Sequence, residues 1–435
     1  MDQTDQPSRA RFGVLYFGIA LAVIQYIDRV CISWAMPDIR GALHLVGEQH
    51  DGAVGYIYGA FTIAYALGEI PTGWLGDRFG TRKTLVRVVL WWSFFTAATG
   101  WVTGLTGMIV VRFLFGLGEA GCFPNLTRAF STWLRPGEKS RAQSTLWLCA
   151  RWGGALTPLL VVAVLRIMSW RGAFSSFASL GVLWAILFYL WFRDEPRDHP
   201  SVNPAEQAML ADNPPVARHD RVPWRAFASS PTTWLLWAQY FFFSYCWYFY
   251  VTWLSKYLGD SYGLTWTKMG LAMLGGIPLF AGGFGNLLAG SLMPRIARWT
   301  GSLGRSRRVL AFSGFLLAGA AFLFPAHYMA SPLLVMVAMG LASFFGDLSM
   351  PSSWSACMDI GGKFSGTYSG SMNMMGNLGG ALGPILVGHL LVWTRQNWGM
   401  IFNISAGAYF LAALCWLFID PVTCLDRGKG AEVPA

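Results

Sequence analysis

Apolar windows long enough to cross a bilayer recur along nearly the whole chain, and this recurrence limits the fold more than any other property of the sequence. About 30 Å of hydrocarbon takes about 20 helical residues. Windows of that kind lie at 12–37, 52–75, 82–104, 107–133, 141–167, 171–192, 232–258, 267–294, 307–327, 332–357, 364–393 and 399–420. Glycine and proline inside such spans leave them helical, because neighbouring helices re-satisfy the backbone. The expectation is an all-α membrane protein with twelve transmembrane helices. Composition agrees: 54% of residues are hydrophobic and 12% charged, the mean hydropathy is +0.43, and soluble domains carry about 25% charged residues.

One gap between windows is long. Residues 193–231 are polar, charged and Pro-rich, the composition of a linker rather than of a folded domain. The chain then reads as two six-helix halves, 1–192 and 232–435, joined by a cytoplasmic linker. Lys and Arg concentrate in alternate loops, including Arg78, Arg82, Lys83, Arg135, Arg141, Arg295, Arg298, Arg305 and Arg308. The opposite loops carry few, among them Arg40, Arg166, Arg171 and Arg395. By the positive-inside rule both termini face the cytoplasm.

The net charge of +10 is therefore a topology signal first. A soluble basic face with interleaved aromatics is missing, which argues against nucleic acid. The seven Cys stand singly, without CxxC or Cys/His pairs, so neither a disulfide framework nor a metal site is indicated. The first span lacks a small-residue cleavage site and reads as an anchor, not a signal peptide.

Ionisable residues well inside spans are few: Asp28, Arg29, Glu69, Arg112, Glu119, Arg151 and Asp347. Each costs about 2.5–3.5 kcal/mol at the centre of a helix on insertion scales, so each needs a partner or a function. Three are arginines, permanently charged and shaped to meet carboxylates bidentately. An interior with fixed positive charge invites an anion, and carboxylates beside it can carry protons. Arg112 and Glu119, seven apart, share a helix face but stand about 10.5 Å apart along the axis. Adjacent Asp28 and Arg29 point about 100° apart, so one can face a cavity while the other faces a neighbouring helix.

Between the second and third spans stands "GWLGDRFGTRKTL" (73–85), and at the equivalent place in the second half "GSLMPRIARWTGSLGRSRRVL" (290–310). The first resembles the loop signature of the major facilitator superfamily. "YIDRV" (26–30), "YALGEIPTGWLGDRFG" (65–80), "RFLFGLGEAGCFP" (112–124) and "SGSMNMMGNLGGALGP" (369–384) are together similar to its anion:cation symporter branch, which includes bacterial hexuronate, galactonate and glucarate transporters. The resemblance covers essentially the whole chain. It implies two six-helix halves working by alternating access, a small organic anion as substrate, protons as the driving ion, no other cofactor and no enzymatic activity. It also implies a multi-pass monomer, surrounded by lipid, in a bacterial inner membrane.

The resemblance gives Arg29 the substrate carboxylate and Asp28 and Glu119 the coupling protons. Tyr65, Asn373 and Asn377 match polar positions of the branch; the two asparagines lie four apart on one face, placed either to hydrogen-bond substrate hydroxyls or to join helices as interhelical polar glue. Arg112 joins the anion-binding set. Glu69, Asp77 and Arg78 are expected at an inner gate. Arg151 departs from the branch pattern; it either reads a second acidic group or ring oxygen of the substrate, or pairs with Asp347, which has an alternative place in an outer gate. The aromatic seventh span offers Tyr245, Trp247, Tyr248 and Trp253 as ring-stacking groups, and Tyr248 is the chosen candidate. Three buried arginines argue against a drug or cation exporter, while a uniporter or exchanger of carboxylates stays open.

Overall fold

The computed structural model describes residues 6–45, 51–211, 213, 221–263, 269–328 and 331–425. The ends of both predicted halves, 214–220 of the predicted linker and the first two residues of the span 267–294 lie outside that set. The chain runs through α1 (Arg11–Ala42), α2 (Asp51–Phe79), α3 (Thr81–Thr99), α4 (Leu105–Glu119), α5 (Cys122–Trp133), α6 (Pro136–Leu165) and α7 (Trp170–Trp191). Two short helices, α8 (Pro204–Met209) and α9 (Trp224–Ser229), fall in the predicted linker. Then come α10 (Pro231–Thr252), α11 (Leu254–Tyr262), α12 (Met269–Thr300), α13 (Leu303–His327), α14 (Pro332–Asp347), α15 (Met350–Gly361), α16 (Ser365–Trp393) and α17 (Trp398–Phe418). All twelve predicted spans are helical over most of their described length, and those at 107–133, 232–258 and 332–357 are each broken in two.

Among the described residues, seven stretches are long and apolar enough to cross a membrane by length and composition alone. α3 and α10 lie outside those stretches: Arg82, Lys83 and Arg87 interrupt the first, and the Trp and Tyr residues with Gln239 lower the hydropathy of the second.

Internal packing divides the chain into two units. Unit 1 comprises Met1–Lys139, Gly153–Val222 and Gly361–Ser371; unit 2 comprises Ser140–Trp152, Pro223–Ile360 and Met372–Ala435. In unit 1, α2 packs on α4, and α3 on α7 and α4. In unit 2, α12 packs on α14, and α13 on α14 and α17. Small residues set these approaches, as expected where lipid removes the hydrophobic drive between helices. A Cβ at Gly116 of α4 would strike the Phe61 carbonyl of α2, and one at Gly285 of α12 the Phe344 carbonyl of α14. Each unit turns apolar side chains outward, such as Leu183, Ile186, Leu187 and Leu190 of α7 and Leu411, Leu414 and Leu417 of α17, the surface a bilayer would cover.

The two signature loops echo each other in contacts. Gly80, at φ 89°, lets the chain turn into α3, whose Arg82 donates from Nε to the Tyr189 carbonyl near the end of α7 at 2.8 Å. In unit 2, Arg308 of α13 donates to the Ile419 carbonyl just past α17 at 2.6 Å.

The linker's first part is fastened to unit 1 through helix ends. The buried Glu206 carboxylate accepts from the backbone N–H groups of Ala10 and Arg11 at 3.3 Å each, filling donors that the first turn of α1 leaves open. It also takes Arg11 Nη1 at 2.7 Å. Asn213 donates to the carbonyls of Thr132 and Leu134 at the end of α5. His199 lies edge-on to Trp133 and Trp191, ring centres 5.5 and 4.8 Å away. Burial, then the charge of Arg193, holds its imidazole below the ordinary value. Burial tends to raise the Glu138 carboxyl, but hydrogen bonds from Arg135 and Arg11 outweigh it and leave it below its usual range.

Candidate functional site

In unit 1, "YIDRV" sits on α1 against α2, α3 and α4. The two adjacent charges separate as helix geometry requires. Asp28, fully buried, accepts from Trp92 Nε1 of α3 at 3.1 Å. Arg29 turns to α4 and donates from Nε and Nη2 to Glu119 Oε1 at 3.0 and 2.7 Å. Gln25, one turn earlier, donates to the same oxygen at 2.8 Å. The Arg29 guanidinium also lies 4.7 Å from the ring centre of Tyr65 and 5.1 Å from that of Phe61.

Glu119 is the last residue of α4, where the helix breaks before α5. A carboxylate there opposes the helix dipole, and the arginine and glutamine offset it. Arg112, 1% exposed, lies against the rings of Phe115 and Phe61 at 4.3 and 5.2 Å. Its Nε and Nη1 meet no hydrogen-bond acceptor among the described residues, and Asp28 Oδ1, Glu119 Oε2 and Gln25 Oε1 meet no donor. Leaving such groups buried and bare is costly.

Elsewhere in unit 1, Asp77 gathers the start of α16. Its carboxylate accepts from the backbone N–H groups of Gly366 and Thr367 at 3.1 and 2.6 Å and from the Thr367 hydroxyl at 2.6 Å. Arg128 of α5 stands 3.6 Å away. Arg78 leaves this group and lies over the rings of Trp74 and Phe79. Glu69 is buried on α2, its backbone carbonyl under Gly370 of α16.

Unit 2 repeats the break-and-acid motif. Asp347 is the last residue of α14, and Arg151 of α6 meets it bidentately, Nε to Oδ2 and Nη2 to Oδ1, both at 2.8 Å. Here both carboxylate oxygens are used. The guanidinium also lies over Trp247 of α10, 4.6 Å from the ring centre. Gly282 of α12 makes room, since a Cβ there would strike Asp347. Tyr248 donates to Asn377 Oδ1 at 3.2 Å, and Asn377 Nδ2 donates to the Asn373 carbonyl at 2.9 Å.

Sequence reasoning passed over Gln25, Trp92, Arg128 and Thr367. Gln25 carries a readable signal, being four residues before Arg29 on the same helix face. Trp92 is one of 22 Trp and has none.

Broken helices bearing acid–arginine pairs, in a chain of membrane-length helices, define an integral membrane protein with charge buried inside it. The Major Facilitator Superfamily model matches residues 18–384 and 303–433. Over 98% of both chains this one is 33% identical to a protein of Cupriavidus necator named "Probable sulfoacetate transporter SauU". It is 26% identical to the hexuronate transporter of Bacillus subtilis, over 98% of this chain and 99% of that one. The solved proton:xylose symporter XylE shares the fold, with a TM-score of 0.78 at 14% identity over 96% of this chain and 98% of that one. The chain belongs to the Major Facilitator Superfamily, in its anion-transporter branch.

Proposed function

We propose that the protein is a monomeric, proton-coupled secondary transporter of a small organic anion, working by alternating access in a bacterial inner membrane with both termini in the cytoplasm. The substrate class is a sugar acid, such as a hexuronate, aldonate or aldarate, or another short carboxylate. Sulfonates enter that class through the sulfoacetate relative. The observation that carries the reading is Arg112: a buried guanidinium with two nitrogens that meet no acceptor among the described residues, within electrostatic reach of Asp28 and Glu119, each of which keeps one oxygen without a donor.

The charges supply the coupling. With Arg29, Arg112, Asp28 and Glu119 all ionised, the cluster is neutral. An arriving carboxylate takes the free donors of Arg112 and competes with Glu119 for Arg29, leaving one excess negative charge. Burying that charge uncompensated is expensive, so one proton goes to Glu119 or Asp28 and travels with the substrate. Gln25 holds Glu119 in place during the exchange. Asp77, with Arg128 and Thr367, serves as a gate that fixes the start of α16. Uptake of a panel of sugar acids and sulfonates by proteoliposomes, with and without an inward proton gradient, tests this. Accumulation that follows the gradient supports it, and gradient-independent equilibration would make the protein a uniporter or exchanger.

A further inference from the structure

A second basic feature lies in unit 2, lined by none of the residues placed in the site above. Arg141 of α6 and Arg295 and Arg298 of α12 line a groove of about 380 Å³ with Ser144, Thr145 and Ser291. The helices close on each other there because residue 290 is glycine: a Cβ would come 2.5 Å from Ser144 Oγ. Among the described residues none of the three arginines meets a carboxylate within salt-bridge distance. The hydroxyl protons are committed, Ser144 donating to the Ser140 carbonyl, Thr145 to Arg141 and Ser291 to Leu288. The guanidinium groups are therefore the groove's free donors, and they suit an oxyanion.

The same face of α12 says where that oxyanion comes from. Phe280, Phe284 and Leu287, 38%, 50% and 46% exposed, precede Ser291, Arg295 and Arg298 at steps of three and four, one continuous helix stripe. Trp299, at the polar end, is 89% exposed, and tryptophan favours the headgroup level of a membrane. An apolar track leading into unpaired arginines matches an amphiphile, with its acyl chain on the phenylalanines and its phosphate among the arginines. We propose that this groove is a binding site for the phosphate headgroup of an anionic phospholipid, held at the cytoplasmic surface of the membrane.

The test uses the full-length protein purified in detergent, mixed with phosphatidylglycerol or phosphatidylcholine and read by native mass spectrometry. Phosphatidylglycerol should be retained in preference to phosphatidylcholine. Joint substitution Arg141→Gln, Arg295→Gln and Arg298→Gln should weaken its retention on the order of a hundredfold, about fivefold per arginine. Because that change also removes topology signals, Ser291→Phe, which fills the groove and keeps every charge, should give the same loss of preference. Inorganic phosphate alone should not displace the lipid. Equal retention of both lipids, or retention of phosphatidylglycerol unchanged in both variants, overturns the proposal. Full displacement by inorganic phosphate also overturns it, assigning the groove to a soluble anion.

Discussion

Replacing Asp347 by asparagine should destabilise the protein by about 3–5 kcal/mol, the usual cost of removing one member of a buried ion pair. The structure puts this pair in the regime where that figure applies. Its side chains are 3% and 1% exposed, and two hydrogen bonds of 2.8 Å join them. The amide that replaces the carboxylate would offer one acceptor and no charge, while the Arg151 guanidinium stays ionised. The Trp247 ring is present before and after and does not change the difference. Replacing both partners by apolar residues of similar volume, Arg151→Met with Asp347→Leu, removes the burial penalty along with the attraction. It should return most of the loss. Chemical denaturation in detergent, followed by tryptophan fluorescence for Arg151→Met, Asp347→Leu and the two together, gives the coupling directly. A coupling below about 0.5 kcal/mol would refute the argument, because a pair this dry and this well aligned cannot be energetically independent. Transport then separates structure from specificity. If substrate also meets Arg151, Arg151→Gln should penalise a dicarboxylate more than a small monocarboxylate; equal loss for every acid assigns the pair to the scaffold alone.

Glu119→Gln should abolish gradient-driven accumulation yet leave counterflow of labelled substrate measurable, since Arg29 and Arg112 survive; full accumulation would remove Glu119 from coupling. Arg29→Lys keeps the charge but cannot reproduce two contacts to one oxygen, and substrate affinity should fall about tenfold or more, read by binding to the purified protein. His199, held below its ordinary value, binds its proton more weakly in the fastened linker than when released. That contribution is intact above about pH 6.5 and is lost as pH falls below it. Protection factors of the amides at 196–210, taken against the intrinsic exchange rate at each pH, should therefore fall between about pH 6.5 and 5, and His199→Phe should flatten the dependence.

Length and hydropathy made the helices legible, because a bilayer leaves a chain few options. The breaks were less so: "LGEAGCF" does not separate an interrupted helix from a continuous glycine-containing one, whereas Pro351 in "GDLSMPS", in the first turn of α15, is a readable restart signal. Within the site, the opposed directions of Asp28 and Arg29 follow from 100° per residue. That Arg29 meets Glu119, and that Asp28 meets an indole, depends on how α1, α3 and α4 are placed, which spacing along one helix does not encode. Arg151 with Asp347 was readable as a pairing of scarce buried charges; the bidentate geometry was not. The linker's composition promised an irregular tether and concealed Glu206, whose role as a cap needs the start of α1 beside it.

The two helix breaks that carry an acid differ in slack, and that difference bears on how such a protein can diverge. Glu119 gives one oxygen to Arg29 and keeps the other bare, so a neighbour can change there and find a spare lone pair. Asp347 has spent both of its oxygens on Arg151. Drift at positions 151 and 347 is therefore tied: either residue changing alone carries the cost of an unpaired buried group, which paired replacement avoids. Single substitutions can retune the pair in unit 1, whereas the pair in unit 2 is inherited or lost as a block.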